Sequence, residues 1–342
     1  MTVSVLDLNN AEETVRWDAF VDKQGTLYHN SHWASILRDI YGFKPYYLFV
    51  EDNGEIKSVL PLFHVKAPFL KDELVSIPHV ESAGIINLEF YLEYLDFIKK
   101  TLKIPKIKIF QNKDAIGDFA AATGQAVMIA GLADTKEMII PNIKSGRTRN
   151  EMRAALKKNF QVTIANDDGS LRDFYRVYLK KMREFGTPPH RFAYIKKISE
   201  SFGSLCFTIV VRQGDEPVGA GFYIFFNDYL YNIYLTVEDK YLRHKVGHLI
   251  EFKAMEMGVE NGCRYLVLGR CEEDGGNFSY KSKLGGSPVK LYIHTFTLTA
   301  NGYEGVLDSP VKQRYSFIAP LWSKLPSLVT DNIGVYIRKW VY

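Results

Sequence analysis

Tyr265-Leu-Val-Leu-Gly-Arg-Cys271, followed after three acidic residues by Gly275-Gly-Asn-Phe-Ser-Tyr-Lys-Ser-Lys-Leu-Gly-Gly286, decides the reading of this chain. The run Tyr265 to Leu268 has the length and composition of a buried strand. It stops at a Gly-Arg pair, and the glycine-rich segment beyond carries Tyr280, Lys281 and Lys283. A buried strand that delivers a cation into a mobile loop suits a site for an anionic substrate. Working backwards, Val246 to Asn261 reads as a helix and Tyr229 to Val237 as a strand. Cys206 to Arg212 and Pro217 to Phe226 form a hairpin around Gly214-Asp215. Before it come helices over Ala193 to Phe202 and over Leu171 to Glu184, the latter closed by Gly186 and Pro188. Phe160 to Ala165 reads as a strand, Arg147 to Asn159 as a basic helix, and Lys290 to Leu298 as the last strand.

The first half repeats this order. Val3 to Leu8 alternates as a strand should. Asn10 to Asp22 reads as a helix capped by Asn10 with Glu13 three residues on. His32 to Tyr41 is a helix ending at Gly42, and a hairpin turns at Asp52-Asn53-Gly54 between Tyr46 to Glu51 and Ile56 to Lys66. Leu74 to Pro78 and Gly84 to Ile86 read as short strands, Glu89 to Leu102 as a helix and Lys106 to Gln111 as a strand. The segments Val50-Glu-Asp-Asn-Gly-Glu55 and Val211-Arg-Gln-Gly-Asp-Glu216 share their spacing, and a helix ending in glycine precedes each hairpin. This is a faint internal duplication. The expected fold class is therefore α+β, a mixed α/β chain with two copies of one unit, the second more complete. The polar, irregular stretch from Gly131 to Pro141 marks the boundary: residues 1–138, residues 139–308, and a helical tail over 309–342.

The 342 residues suffice for about two domains. A net charge of +4 is too mild, without clustering, to argue for nucleic acid on its own. The aromatic share of 14% is high and is expected to fill the core. Cys206, Cys263 and Cys271 show no paired spacing and read as reduced thiols of a cytoplasmic protein. The first ten residues have no basic n-region or long apolar run, and no stretch approaches a membrane span, so neither a secretory signal nor a transmembrane segment is expected. His244 and His248 are four apart, but no Glu follows His244, and no metal site is expected.

The element order of the second half resembles the acyltransferase fold called GNAT. In that fold an Arg/Gln-x-x-Gly-x-Gly/Ala turn opens a helix, and its N–H groups hold the donor's pyrophosphate. Arg243-His-Lys-Val-Gly-His248 stands at that place, with Val246 and His248 at the two glycine positions, so the cradle is expected to be missing or remodelled. Nearly the whole chain resembles the Fem family of peptidoglycan-bridge aminoacyltransferases (FemAB/FemX-related) and its Fem-like relatives, most strongly those encoded alongside bacterial exosortase and exopolysaccharide systems. The carrying segments are His29-Asn-Ser-His-Trp33, Val59-Leu-Pro-Leu62, Arg149-Asn-Glu-Met-Arg-Ala-Ala155, Met182-Arg-Glu-Phe-Gly-Thr-Pro188, Pro217-Val-Gly-Ala-Gly221, Leu268-Gly-Arg270 and Tyr280-Lys281.

The resemblance implies two tandem GNAT-like domains in a bacterial protein. It implies transfer of an aminoacyl or acyl group to an amine of a nucleotide-linked or lipid-linked cell-wall or polysaccharide precursor. The donor would be aminoacyl-tRNA or acyl-CoA, with no resident cofactor. Arg183 lies where relatives carry an arginine on the nucleotide-sugar phosphates, and Lys281 matches a lysine near the acyl-transfer centre. Arg270 follows the family's strand end, but relatives often read Phe-Asp-Phe-Gly-Arg-Ser, so Val267 replaces an aspartate and Cys271 a serine. Glu272, Glu273 and Asp274 are the nearby carboxylates that would take over. Catalytic expectations thus fall on Lys281 and Arg270, and substrate-binding expectations on Arg183, Tyr280, Tyr234, Arg149 and Arg153. Arg149, Arg153 and Lys157 share one helix face, fit for phosphate including tRNA. The tail, with Trp322 and Trp340, either docks on the core or touches a membrane surface. A CoA-dependent N-acetyltransferase and a degenerate, non-catalytic glycan- or partner-binding protein are the alternatives.

Overall fold

The computed structural model describes residues 1–66, 72–112, 114–116, 121–306, 322, 325 and 327–340. The chain divides into two compact units. One comprises Met1–Ala126 with Val289–Pro310 and Tyr342; the other comprises Val127–Pro288 with Val311–Val341. In chain order the first contains β1 (Thr2–Val5), α1 (Ala11–Gln24), α2 (His32–Tyr41), β2 (Lys44–Asp52), β3 (Glu55–Val65), β4 (Glu73–Val75), α3 (Tyr91–Phe97) and β5 (Lys106–Asn112). β6 (Ala121–Gly131) leads into the second unit. There follow α4 (Ile139–Asn142), α5 (Gly146–Leu156), β7 (Gln161–Ala165), α6 (Asp168–Glu184), α7 (Phe192–Phe202), β8 (Cys206–Gln213), β9 (Glu216–Phe226), β10 (Tyr229–Val237), α8 (Asp239–Leu242), α9 (Val246–Glu260), β11 (Tyr265–Glu272) and α10 (Gly276–Lys283). β12 (Gly286–Leu298) and β13 (Tyr303–Val306) return to the first unit, and α11 (Ser327–Ile337) to the second.

Both units lay out their strands alike. β1, β2, β3 and β4 run antiparallel in sequence and β4 pairs parallel with β5. β7, β8, β9 and β10 run antiparallel and β10 pairs parallel with β11. The hairpins match residue by residue. Val50 faces Ser58, and Glu51 faces Ile56 after a bulge. Val211 faces Gly219, and Arg212 faces Pro217 after the same bulge. Asn53 and Gly54 both sit at positive φ, 50° and 82°, as a two-residue turn of the twist-matched kind demands. The duplication is thus built into the register. The second unit is fuller: α9 has 15 residues and β10 nine, against seven for α3 and three for β4.

Local chemistry accounts for several element ends. The Asn10 side chain accepts from the Glu12 and Glu13 N–H groups at 3.0 and 3.3 Å, and the Glu13 carboxylate reaches back to the Asn10 amide at 3.3 Å. Replacing Asn10 with Ala is expected to cost about 1 kcal/mol, read as a lower midpoint in urea unfolding. The twelve largest fully buried side chains are all aromatic, among them Trp17, Trp33, Phe174 and Phe222. Aromatic content therefore goes into the core. The segment around His29 and Trp33 is core as well. The Trp17 and Trp33 indoles donate to the His29 and Leu27 carbonyls at 2.8 and 2.9 Å. His29 is buried against the Gly84 carbonyl, and burial lowers its pKa to about 4.

Three expectations are corrected, and one strand goes without any signal in the sequence. The glycine-rich segment after β11 is not a loop: Gly276 to Lys283 is a helix, because Gly275 supplies an extended first cap and no β-branched residue interrupts it. β6 was not read at all; Ala126, Val127, Met128 and Ala130 are buried together, so the alternation of a half-exposed strand is missing. Gly84 to Ile86 makes a single bridge, Val59 to Ile86, rather than a strand. β13 follows β12, which is therefore not the last strand.

Of the tail expected over 309–342, the described residues are Trp322, Leu325 and 327–340. α11 lies against the second unit. Arg338 Nε donates to His190 Nε2 at 3.0 Å, and the Arg191 guanidinium stacks 4.3 Å from the Tyr336 ring. Among the described residues no helix is long and apolar enough to cross a membrane.

Candidate active site

The parallel pairing of β10 with β11 runs only from Tyr229–Tyr265 to Tyr231–Val267. Beyond that point the two strands part, and the gap opens at the residues where β10 bulges against β9, between Asn232 and Tyr234. Residues two apart on a regular strand share a face. The bulge breaks that rule here. Asn232 turns to α9, donating to Glu251 Oε1 at 3.1 Å. Tyr234 turns to α6, its ring 5.2 Å from Tyr178 and 6.2 Å from Phe174. Neighbouring residues of β9 confirm the two faces, for Phe222 packs on Phe174 while Tyr223 lies on the α9 side with Glu251.

On the α9 face a polar cluster is buried. Glu251 is 2% exposed and its Oε2 has no hydrogen-bond partner among the described residues. Tyr223 is fully buried, and the ring of Tyr280 is partly exposed while its hydroxyl is buried. Neither phenol finds a partner among the described residues. Burial first, and the Glu251 charge next, push both phenols well above the ordinary tyrosine range. Burial raises the Glu251 carboxyl to about 7, opposed by the Lys281 charge and the Asn232 hydrogen bond. The Tyr280 ring stands edge-on to His248, centroids 5.2 Å apart. Lys281 Nζ donates to the Gly269 and Arg270 carbonyls at 2.9 and 3.1 Å, tying α10 to the end of β11.

A second feature lies at the start of α9. Lys245 caps the helix at φ 64°. Val246 is buried, and a methyl group on Gly219 would stand 2.5 Å from it, so the valine turns inward onto β9. Glu151 of α5 sits against it, accepting from Lys245 at 2.9 Å and lying 3.4 Å from His248 Nε2. The Lys245 hydrogen bond, then Arg147, hold the Glu151 carboxyl below its usual range. Burial lowers the pKa of His248, against the pull of Glu151. Lys158 Nζ and His244 Nδ1 are 2.9 Å apart. Both histidines are thus engaged by neighbours of α5, and no group of three metal-binding side chains occurs among the described residues. An open groove of about 450 Å3 is lined by Arg147, Asn150, Glu151, Ala154, Lys158, Arg243 and Lys245. Four cations face one carboxylate, so the groove favours an anion.

The expected residues separate into three places. Tyr280, Lys281 and Arg270 gather at the end of β11, with Arg270 itself exposed. Arg149 and Arg153 share α5, yet Arg149 Nη1 is engaged by the Ile143 and Lys144 carbonyls at 2.6 and 3.3 Å and Arg153 meets Asn150 at 3.4 Å. Arg183 ends α6, where the preceding Lys180 and Lys181 bind Glu238 and Asp239 of the β10–α8 segment at 2.6 and 2.5 Å. Tyr234 belongs to the aromatic layer under α6. Glu272 and Asp274 are exposed and Glu273 partly so, and the buried carboxylate comes instead from Glu251 of α9. Sequence reasoning passed over it, although a carboxylate inside the apolar run Leu249-Ile-Glu-Phe252 is the signal that marks it. All three thiols are buried, and burial pushes Cys263 to about 11.

Residues 145–282 match the family model of the acetyltransferase (GNAT) domain. Among solved structures the chain resembles FemX, with 14% identity, 82% of this chain and 95% of that one covered, and a TM-score of 0.63. It resembles a tandem GNAT protein from the clavulanic acid biosynthesis pathway at 11% identity, covering 90% of this chain and 99% of that one, TM-score 0.54. It also resembles the C-terminal domain of a protein described as a lysylphosphatidylglycerol synthetase from Agrobacterium fabrum, at 12% identity over 94% and 96%, TM-score 0.55. No curated protein sequence matches the chain. The likeness to these structures is one of fold; together with the family match, it makes residues 145–282 a GNAT-type acyltransferase domain within a chain folded like the tandem GNAT proteins.

Proposed function

We propose that the second unit is an N-acyltransferase that moves an aminoacyl or acyl group onto an amine of a cell-wall or exopolysaccharide precursor. The observation that carries this reading is the gap between β10 and β11. Where β10 and β11 no longer pair with each other, strand N–H groups that face the gap would meet the acyl carbonyl and stabilise the oxyanion of the tetrahedral intermediate. The amine attacks directly, with no covalent enzyme intermediate, and Lys281 at the end of β11 adds positive charge beside the gap. The basic groove at the start of α9 receives the phosphates of the donor.

An aminoacyl ester on tRNA is the favoured donor. At the turn where GNAT enzymes hold the coenzyme A pyrophosphate, Val246 replaces a glycine and the Glu151 carboxylate sits against Lys245, which disfavours a pyrophosphate there. The second reading, an acyl-CoA donor, draws support from the excess of cations in the groove. Removing Lys158 and Arg243 together by alanine substitution should weaken donor binding about tenfold or more. The check is the rise in melting temperature given by acetyl-CoA and by alanyl-tRNA. The donor whose stabilisation drops in the double variant is the one the groove binds. Equal stabilisation of both proteins would remove the groove from the account.

A further inference from the structure

We propose that Glu251 is the proton acceptor of this site, taking the proton that an acceptor ammonium must lose before its nitrogen can attack. The proposal rests on the N-acyltransferase reading above and adds to it the group that makes the amine nucleophilic. In the step, the ammonium N–H proton passes to the Glu251 carboxylate and the freed nitrogen lone pair forms the bond to the acyl carbon. The carbon–oxygen or carbon–sulfur bond to the donor then breaks, and the leaving oxygen or sulfur takes the second proton from nitrogen. The protonated carboxyl afterwards returns its proton to solvent. No oxidant, metal or further reactant is needed.

The geometry separates Glu251 from an ordinary structural carboxylate. Only one of its oxygens is used in packing, by Asn232 of β10. The other is buried and unpartnered among the described residues, which is costly for a group whose sole task is to join helix to sheet. Its polar neighbours come from three other elements: Asn232 on β10 by hydrogen bond, and, through charge, Tyr223 on β9 and Tyr280 and Lys281 on α10. Asn232 lies one residue past the last β10–β11 pair, Tyr231–Val267, so its hydrogen bond holds the Glu251 side chain next to the point where the two strands part. The apolar surroundings raise its affinity for a proton into the range where a general base works near neutral pH.

The test is the pH dependence of transfer by the intact protein and by Glu251→Gln, which keeps the shape and the Asn232 contact. The probes are alanyl-tRNA and acetyl-CoA as donors with a lysine-bearing UDP-linked muropeptide as acceptor. The unsubstituted protein should show kcat/KM rising with pH to a plateau above about 7. Glu251→Gln should lose about 10²-fold or more in kcat, lose that limb of the profile and keep its donor affinity, and Glu251→Asp should recover part of the rate. Carbon-13 NMR of glutamate-labelled protein reads the carboxyl without turnover: one resonance should titrate near pH 7 and vanish in the Gln variant. A Gln variant with the same pH limb, or no glutamate titrating above the ordinary range, overturns the assignment. Absence of transfer from either donor by the unsubstituted protein overturns the acyltransferase reading and takes the role of Glu251 with it, whatever the NMR shows.

Discussion

Glu251→Gln should make the protein more stable at pH 8, by up to about 3 kcal/mol, and leave its stability unchanged below pH 4. The carboxyl ionises at 4.5 when exposed and at about 7 in the fold, because burial disfavours its charge. Between those values the folded chain holds a proton that the unfolded chain has released. Stability therefore falls as pH rises through this window; the contribution is complete below 4.5 and lost above about 7. At about 1.4 kcal/mol per unit the full difference is about 3 kcal/mol, an upper figure for a single substitution. Gln keeps an oxygen for Asn232 and carries no charge. Urea unfolding at several pH values reads the effect directly. A variant less stable than the parent at pH 8 would show that the carboxylate is a net structural asset.

In the proposed mechanism Lys281→Met removes a charge beside the developing oxyanion while keeping the stem, and it should cost about 10² to 10³ in kcat. Lys281 Nζ holds the Gly269 and Arg270 carbonyls, so α10 is expected to loosen by no more than the worth of about two hydrogen bonds, roughly 1 to 3 kcal/mol. Single-turnover transfer and a melting curve separate the two effects. Undiminished turnover in a folded variant would confine Lys281 to tethering α10. The same substitution removes the cation that lowers the Glu251 pKa, so any remaining pH limb should move upward.

The architecture was readable where local chemistry and periodicity agree. Asn53-Gly54 and Gly214-Asp215 between apolar runs announce the two hairpins, and their shared spacing reveals the duplication that the matching bulges at Glu51 and Arg212 bear out. β6 was illegible because strands buried on both faces lose alternation, and Ala126 and Ala130 hide the rest. α10 is illegible because Gly275, Gly276, Gly285 and Gly286 read as loop, although Gly276 opens an eight-residue helix that runs to Lys283. The site was half legible. Lys281 and Arg270 stand out because a strand ends at them. Glu251 does not, since its meaning depends on a bulge that turns Asn232 toward α9 and on a helix that brings Tyr280 over Gly247. Val267 says only that β11 carries no carboxylate at that position; the fold alone shows that α9 buries one, Glu251, against β10.

The measurement that tests the central claim most directly is mass spectrometry of a lysine-bearing UDP-linked muropeptide incubated with the purified protein and either alanyl-tRNA or acetyl-CoA. The account predicts that the acceptor gains one acyl mass with at least one donor, and that the gain disappears with Lys281→Met. An unchanged acceptor mass with both donors, from a folded protein that neither donor stabilises, would contradict it.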